Sequence, residues 1–281
     1  MSSLVQGADS VEPAAGRLRV ATWNLWWHFG PWEERQPAIR ETMQAVDADV
    51  WCIQEVFRGR DAGDQAEELA DALGGYHVAH GTRFDLDRFS ESIGNAVISR
   101  FPIRDWEIRA LSAPAGLDEL RLVVRADIEA PGHVVEVFST HLNYRLDQSH
   151  VRQEQVRELC AFVDETTDRR TFPPIVCGDF NADPGAEEIR MLTGLTSVPV
   201  PKLVFIDAWR AGGTDEGSTW DNRNAHAAQD FEPNRRIDYV LVGYPREAGI
   251  GQVVEARLVG DQPVDGVWPS DHFGVVADIR I

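Results

Sequence analysis

Six places along the 281-residue chain end or interrupt an apolar run with a side chain able to do acid–base or metal chemistry. VATWNL closes on Asn24, and WCIQEV embeds Glu55. VFSTHL closes on His141, and VCGDFN closes on Asp179 and Asn181. RIDYVLV opens on Asp238, and SDHFGVV opens on Asp271 and His272. Burying such groups without a partner or a metal is costly. If the six strand ends converge, they bring together three Asp, one Glu, two Asn and two His, which is the inventory of a hard-metal hydrolase. Mg²⁺ favours carboxylate and carboxamide oxygens. A neutral His backed by a carboxylate can take a proton from water. Asn and a second His can hold charge that develops on a phosphoryl oxygen.

Each place also has a plain structural account. Glu55 could be a satisfied core carboxylate, and His141 a structural histidine. Asp179 with Asn181 could form an Asx-type turn. Asp271 with His272 could be an exposed turn after Pro269. Six such coincidences in one chain make the weaker explanation. Trp23, Trp26 and Trp27 read as core and rim. The remaining His residues have no comparable context.

Positioning these groups requires strands. Apolar, often alternating runs predict strands over 18–25, 50–56, 76–79, 96–100, 120–128, 134–141, 174–180, 237–242, 253–259 and 272–281. Helices are predicted over 33–46, 65–73, 149–167 and 186–192, with Ser149 as an N-cap. The order of elements predicts an α/β domain of mixed, largely antiparallel sheets with helices outside. Two long surface loops, 81–92 and 212–235, are candidates for function. No Pro/Ser-rich linker divides the chain, so residues 18–281 are expected to form one domain after a flexible tail, 1–17.

Composition narrows the partners. The chain holds 27 basic and 46 acidic residues, a formal charge of -19. That disfavours tight nonspecific binding to nucleic acid or an anionic membrane, which needs Lys and Arg to displace counterions. Cys52, Cys160 and Cys177 show no CxxC spacing and lie in apolar runs, so reduced thiols and a cytoplasmic location are expected. The N-terminus has no basic start or apolar core of a signal peptide. No run reaches the roughly 20 apolar residues of a membrane helix.

In their order, TWN, QEV, STHL, GDFN, RIDYV and SDH resemble the endonuclease/exonuclease/phosphatase superfamily, the exonuclease III or deoxyribonuclease I-like fold, and GNAVISRFPI at 94–103 is similar to its mid-domain strand. The resemblance runs from residue 18 to residue 281. It implies a four-layer αββα sandwich with the active site at one end of two facing sheets. It implies a metal-dependent phosphoester hydrolase using Mg²⁺, with Mn²⁺ also acceptable to hard oxygen ligands. By resemblance, Glu55 is the principal metal ligand, Asn24 lies beside metal and phosphate, and Asp271 completes the metal site. His272 activates or aligns the attacking water and Asp238 orients it. His141 and Asn181 hold non-bridging oxygens, and Asp179 lies near the nucleophile and leaving group. Arg121 resembles a phosphate-contacting arginine.

The superfamily's shared residues leave the substrate to the loops. Trp220 and Arg223, with Thr219 and Asn222, are the first specificity candidates, and Trp26 and Trp27 are candidates for the rim. A phosphodiesterase acting as a monomer, with no membrane partner, is expected. A DNA or RNA nuclease is the alternative, less favoured by net charge. A catalytically silent phosphate-binding module is the alternative outside enzymes.

Overall fold

The computed structural model describes residues 16–61, 63–84, 86–87, 89–113, 120–167 and 172–281. Most of the expected tail thus lies outside the described residues, and Arg17 already opens the first strand. The strands are β1 (Arg17–Asn24), β2 (Val50–Gly59), β3 (Gly63–Asp64), β4 (His77–Thr82), β5 (Glu91–Ser99), β6 (Ile103–Leu111) and β7 (Arg121–Ala130). They continue as β8 (His133–His141), β9 (Ile175–Asp179), β10 (Phe205–Asp207), β11 (Asp238–Gly243), β12 (Val253–Val259) and β13 (Gly274–Arg280). The helices are α1 (Trp32–Val46), α2 (Gln65–Ala72), α3 (Ser149–Thr166), α4 (Glu187–Leu192) and α5 (Ala208–Gly212).

Two sheets result. One runs β12-β13-β1-β2-β5-β4, with β3 beside β2, and the other runs β10-β11-β9-β8-β7-β6. Each has one parallel pair, β1 with β2 and β8 with β9, and every other pair is antiparallel. A parallel pair needs a crossover, and α1 and α3 supply the two. Alternation along the strands then sorts the side chains. Val20, Val50, Cys52 and Val97 of the first sheet face Val124, Val137, Cys177 and Val240 of the second. Trp23, Trp51 and Ile53 pack outward on Ile39, Met43 and Leu69 of α1 and α2. Phe138, Val176 and Leu241 pack outward on Val156, Leu159 and Ile189 of α3 and α4. Three apolar seams between four layers are the αββα sandwich that the family resemblance implies.

Three strands and a helix escaped the sequence reading. β6 is an edge strand whose residues are mostly exposed and often charged, so it lacks an apolar run. β3, β10 and α5 are too short for periodicity to register. The loop at 81–92 is shorter than expected, because β4 reaches Thr82 and β5 starts at Glu91. Ser149 does not cap α3. Gln148 holds the cap position, and the Ser149 hydroxyl donates to Glu188 Oε2 at 2.7 Å.

Candidate active site

The parallel pairs and their antiparallel neighbours end at the same edge of the sandwich. In the second sheet the register does the positioning. Asp179 is paired with Asp238 on one side and with His141 on the other. Three reactive side chains therefore stand on adjacent strands, about 4.8 Å apart in a sheet. Gly178 permits this. Its φ is +153°, and a Cβ there would collide with the Thr140 carbonyl of the neighbouring strand. Past Asp179 the chain turns sharply. The Asn181 amide donates to Asp179 Oδ1 at 2.8 Å, and Asn181 is left-handed at φ 51°. The Asx turn and the candidate site thus share the same residues.

In the first sheet the positioning is irregular. β2 carries a bulge between Gln54 and Val56 where it pairs with β5, and Glu55 within it is left-handed at φ 53°. A bulge re-aims one side chain and breaks the alternation. Here it turns Glu55 toward the site while its neighbours Gln54 and Val56 stay buried. Beyond Asn24 the chain enters a loop in which Trp26 and Trp27 are also left-handed. Asp271 and His272 precede β13 rather than lying in it. They are tied down by the Ser270 hydroxyl, which donates to the Asn24 carbonyl at 2.7 Å, and by Trp23 Nε1, which donates to the His272 carbonyl at 3.0 Å.

The two edges meet in a cleft of about 620 Å³ lined by Glu55, His141, Asp179, Asn181, Asp271 and His272, among others. His272 Nδ1 lies 3.0 Å from Asp238 Oδ2, and its Nε2 faces Asp179 Oδ2 at 3.8 Å. Burial alone would lower the His272 pKa, but Asp238, Asp271 and Asp179 together raise it well above the usual value. Asp179 is raised to about 7 by burial and by Asp238. Its Oδ2 accepts from Asn24 Nδ2 at 3.1 Å. His141 goes the other way: burial, then Arg121, His272 and Arg83, pull it well below the usual value. The neutral ring accepts from Asn181 Nδ2, 3.1 Å from Nε2. Asp271 is raised to about 7, mainly by burial.

Two groups of donors fit a cation. Asp179, Asp238 and His272 place one ligating atom each within 4.8 Å of one another. In that trio, however, His272 Nδ1 is already committed to Asp238. The other group is Glu55 with Asp271. Glu55 Oε2 is buried with no hydrogen-bond partner, and the Asp271 carboxyl is raised in pKa partly by Glu55. Two crowded hard-oxygen acids with an orphaned oxygen are the better match to a divalent cation. Asn24 backs this group: its Nδ2 reaches Glu55 Oε1 at 3.3 Å, while its Oδ1 accepts from the Trp26 amide at 2.9 Å. In this arrangement Asn24 orients carboxylates with its amide nitrogen, and its oxygen is occupied.

The sequence profile of the Endonuclease/Exonuclease/phosphatase family matches residues 21–272. The chain belongs to this family. Members of the family are metal-dependent phosphoester hydrolases. Nocturnin of Rattus norvegicus is 25% identical over 264 residues, 88% of this chain but 58% of that protein. The chain thus spans little more than half of nocturnin's length. A solved endonuclease/exonuclease/phosphatase from Beutenbergia cavernae DSM 12333 is similar at TM-score 0.70 and 26% identity, covering 94% of this chain and 72% of that one. D. rerio TDP2 complexed with single strand DNA product has TM-score 0.75 at 18% identity, covering 95% and 100% of the two chains, a likeness of fold.

Against this family background the specificity candidates divide. Arg121 lines the cleft, and so does Trp220, whose ring stands edge-on to His272 at 5.1 Å. Arg223 does not line it. Its guanidinium is drawn off by Asp221 at 3.2 Å and lies 5.2 Å from the Phe273 ring. Thr219 is fully buried, and its hydroxyl accepts from the Ile237 and Asp238 amides, so it holds β11 in place. Asn222 braces its own loop through Asn234 and the Glu232 carbonyl. Trp26 lines the cleft, while Trp27 faces an adjoining groove.

The sequence reading missed two arginines. Arg83 lines the cleft beside Arg121 and His141, and only its place in a loop could have flagged it. Arg35 is fully buried on α1. Its guanidinium donates to the carbonyls of Leu25, Trp26, Trp27, Phe29 and Pro269. Burial lowers its pKa to about 10, against the pull of Asp271 and Glu55. It clamps the left-handed loop after Asn24 to the segment before Asp271. In sequence it sits among Glu33, Glu34 and Arg40, and reads as one more charge on a solvated helix face.

Proposed function

We propose that residues 18–281 form one catalytic domain, a Mg²⁺-dependent phosphodiesterase that hydrolyses by in-line attack of water on phosphorus. The observation that carries this reading is one cleft lined by Asp179, by His272 with buried Asp238 behind it, and by Glu55 with its orphaned oxygen. Glu55 and Asp271 would hold the cation, with Asn24 keeping both Glu55 and Asp179 in place. A divalent cation bound there supplies positive charge to a phosphoryl oxygen, and Mn²⁺ would serve the same ligands.

The chain's own groups account for the proton movements. Asp238 fixes the His272 ring through Nδ1, which leaves Nε2 facing the cleft. With positive charge held at Glu55 and Asp271, the His272 ring would be neutral before attack, because that charge would oppose the carboxylates that raise it. His272 Nε2 then takes a proton from the attacking water as its oxygen bonds to phosphorus. The ester P–O bond breaks, and the leaving oxygen takes a proton from Asp179, a carboxyl that burial and neighbouring Asp238 dispose to hold one. Arg121 and Arg83, both in the cleft wall, supply positive charge to the non-bridging oxygens. Neutral His141 and Asn181 add hydrogen-bonding groups on the same side.

Cys52, Cys160 and Cys177 are buried free thiols, which suits a reducing compartment, and a cytoplasmic monomer is part of the proposal. No helix among the described residues is long and apolar enough to cross a membrane. The deciding experiment is hydrolysis of bis-p-nitrophenyl phosphate with and without Mg²⁺ by wild type and Glu55→Ala. Turnover that needs metal and is lost in the variant supports the reading. Turnover by folded wild type that ignores both metal and Glu55 would overturn it.

A further inference from the structure

A groove of about 420 Å³ opens beside the cleft and shares Phe29, Arg83 and Ile93 with it. Trp27, Phe84 and Phe89 complete its aromatic lining, and Ser90 and Glu91 bring polar groups to it. Phe84 and Phe89 form a tilted pair with centroids 5.2 Å apart, and Trp27 meets Phe29 edge-on at 5.5 Å. Phe29 and Phe89 are each 49% exposed. Clustered exposed aromatics beside an active cleft mark a place where something apolar is covered on binding. Of the residues given a part in hydrolysis, Arg83 alone lines this groove.

The lining chooses among occupants. Aromatic faces stack well on a flat ring. A hydroxyl and a carboxylate suit an occupant whose edge carries donors and acceptors, which an alkyl chain lacks. Arg83 stands where the groove joins the cleft, so an anionic group and a flat ring can be engaged from one ligand. The cleft also carries Asp230, and Glu232 paired with Arg235 at 3.0 Å, a set with no net positive charge to draw in a polyanion. With a net charge of -19, the site suits a compact ligand better than a polymer.

Building on the phosphodiesterase reading above, we propose that this groove is a subsite for the nucleobase of a small nucleoside phosphoester, whose phosphorus lies between Glu55 and Asp179. The substrate class is then a mononucleoside-sized ester, with Phe84 and Phe89 as specificity-determining residues.

The test uses esters that share one chromogenic leaving group: methyl p-nitrophenyl phosphate, octyl p-nitrophenyl phosphate, and the 5′- and 3′-p-nitrophenyl phosphates of thymidine. In wild type, kcat/KM for the better thymidine ester should exceed that for the methyl ester by about tenfold, the order expected for one stacked base. In the Phe84→Ala/Phe89→Ala double variant that ratio should fall toward one, through KM. A ratio near one in wild type, with the methyl ester turned over, overturns the subsite and leaves the hydrolase reading standing. A preference for the octyl ester overturns it in favour of an alkyl chain. If no ester is hydrolysed, the hydrolase reading fails. Calorimetric titration with thymidine 5′-phosphate then decides the subsite. Binding about tenfold weaker in the double variant supports it, and equal binding overturns it.

Discussion

The two sheets contribute unlike halves to one site. The second sheet delivers Asp238, Asp179 and His141 by ordinary strand register, side by side on neighbouring strands. The first sheet delivers Glu55, Asn24 and Asp271 from a bulge, a strand end and a loop, with left-handed backbone at Glu55, Trp26 and Trp27. Left-handed backbone at such residues costs free energy and persists only where the surroundings enforce it. Arg35 does the enforcing at Trp26 and Trp27, and the Trp27 amide in turn donates to the Glu55 carbonyl at 3.0 Å. The regular half is thus maintained by the same hydrogen bonds that make the sheet. The irregular half depends on one buried guanidinium five carbonyls deep. The proposed acid, Asp179, and the carboxylate that fixes the base, Asp238, lie on the half that is hardest to deform, whereas the base itself, His272, and the proposed cation ligands lie on the half that a ligand could still tighten.

The largest effect should come from the regular half and should be purely chemical. Asp179→Asn keeps the shape of the side chain and one oxygen to accept from the Asn181 amide. It removes the group raised to about 7 and its proton. We expect turnover on bis-p-nitrophenyl phosphate to fall by about 10²–10⁴-fold, the range of a lost general acid or base. Circular dichroism and the urea midpoint should hardly move. Unchanged turnover in folded protein would remove Asp179 from the mechanism.

The irregular half should fail differently. Arg35→Met leaves five carbonyls without this donor, those of Leu25 and Pro269 in buried hydrogen bonds, and we expect a loss of about 3 kcal/mol or more in urea unfolding. Arg35→Lys keeps the charge without the planar fork and should recover only part of the loss. Where Arg35→Met remains folded, calorimetric Mg²⁺ affinity should drop. If it is instead as stable as wild type, the clamp is not what holds this half, and the contrast between the halves dissolves.

The same contrast explains what the sequence disclosed. A carboxylate or imidazole at the end of an apolar run is conspicuous, because strand pattern and chemistry conflict at one position. Glu55, His141, Asp179 and Asp238 are therefore legible as candidates, and so are the mixed sheets that carry them, whereas the four-layer sandwich follows from the resemblance of the motifs to the family. The bulge that turns Glu55 is not legible, since a two-residue alternation carries no sign of one extra residue. Arg35 was hidden for a related reason. α1 is amphipathic, and an arginine on it looks solvated until the loop that wraps its guanidinium is known. Arg223 erred in the opposite direction: it lies in the right loop, but Asp221 and Phe273 hold it off the cleft.

The smallest effect comes from the far end of β1, which pairs with β13 and β2 without a register shift. Arg19 is paired in register with Asp278 of β13, and its Nε donates to Asp278 Oδ1 at 2.8 Å. Arg19 holds the Asp278 carboxyl below its ordinary value, with burial working against it. A carboxyl whose folded pKa is depressed stabilises the fold fully above its unfolded value of about 3.9, and that contribution is lost as pH falls through the folded value. The urea midpoint of wild type should therefore fall more steeply below about pH 4 than that of Asp278→Asn. The difference should be modest, because the pair is partly solvated. At neutral pH the variant should retain wild-type Mg²⁺ affinity and turnover, since β1 places Arg19 and Asn24 at opposite ends of one strand. A loss of Mg²⁺ affinity in Asp278→Asn would mean that strain at the Asn24 end is carried along β1, and that Arg35 does not isolate the irregular half from the rest of its sheet.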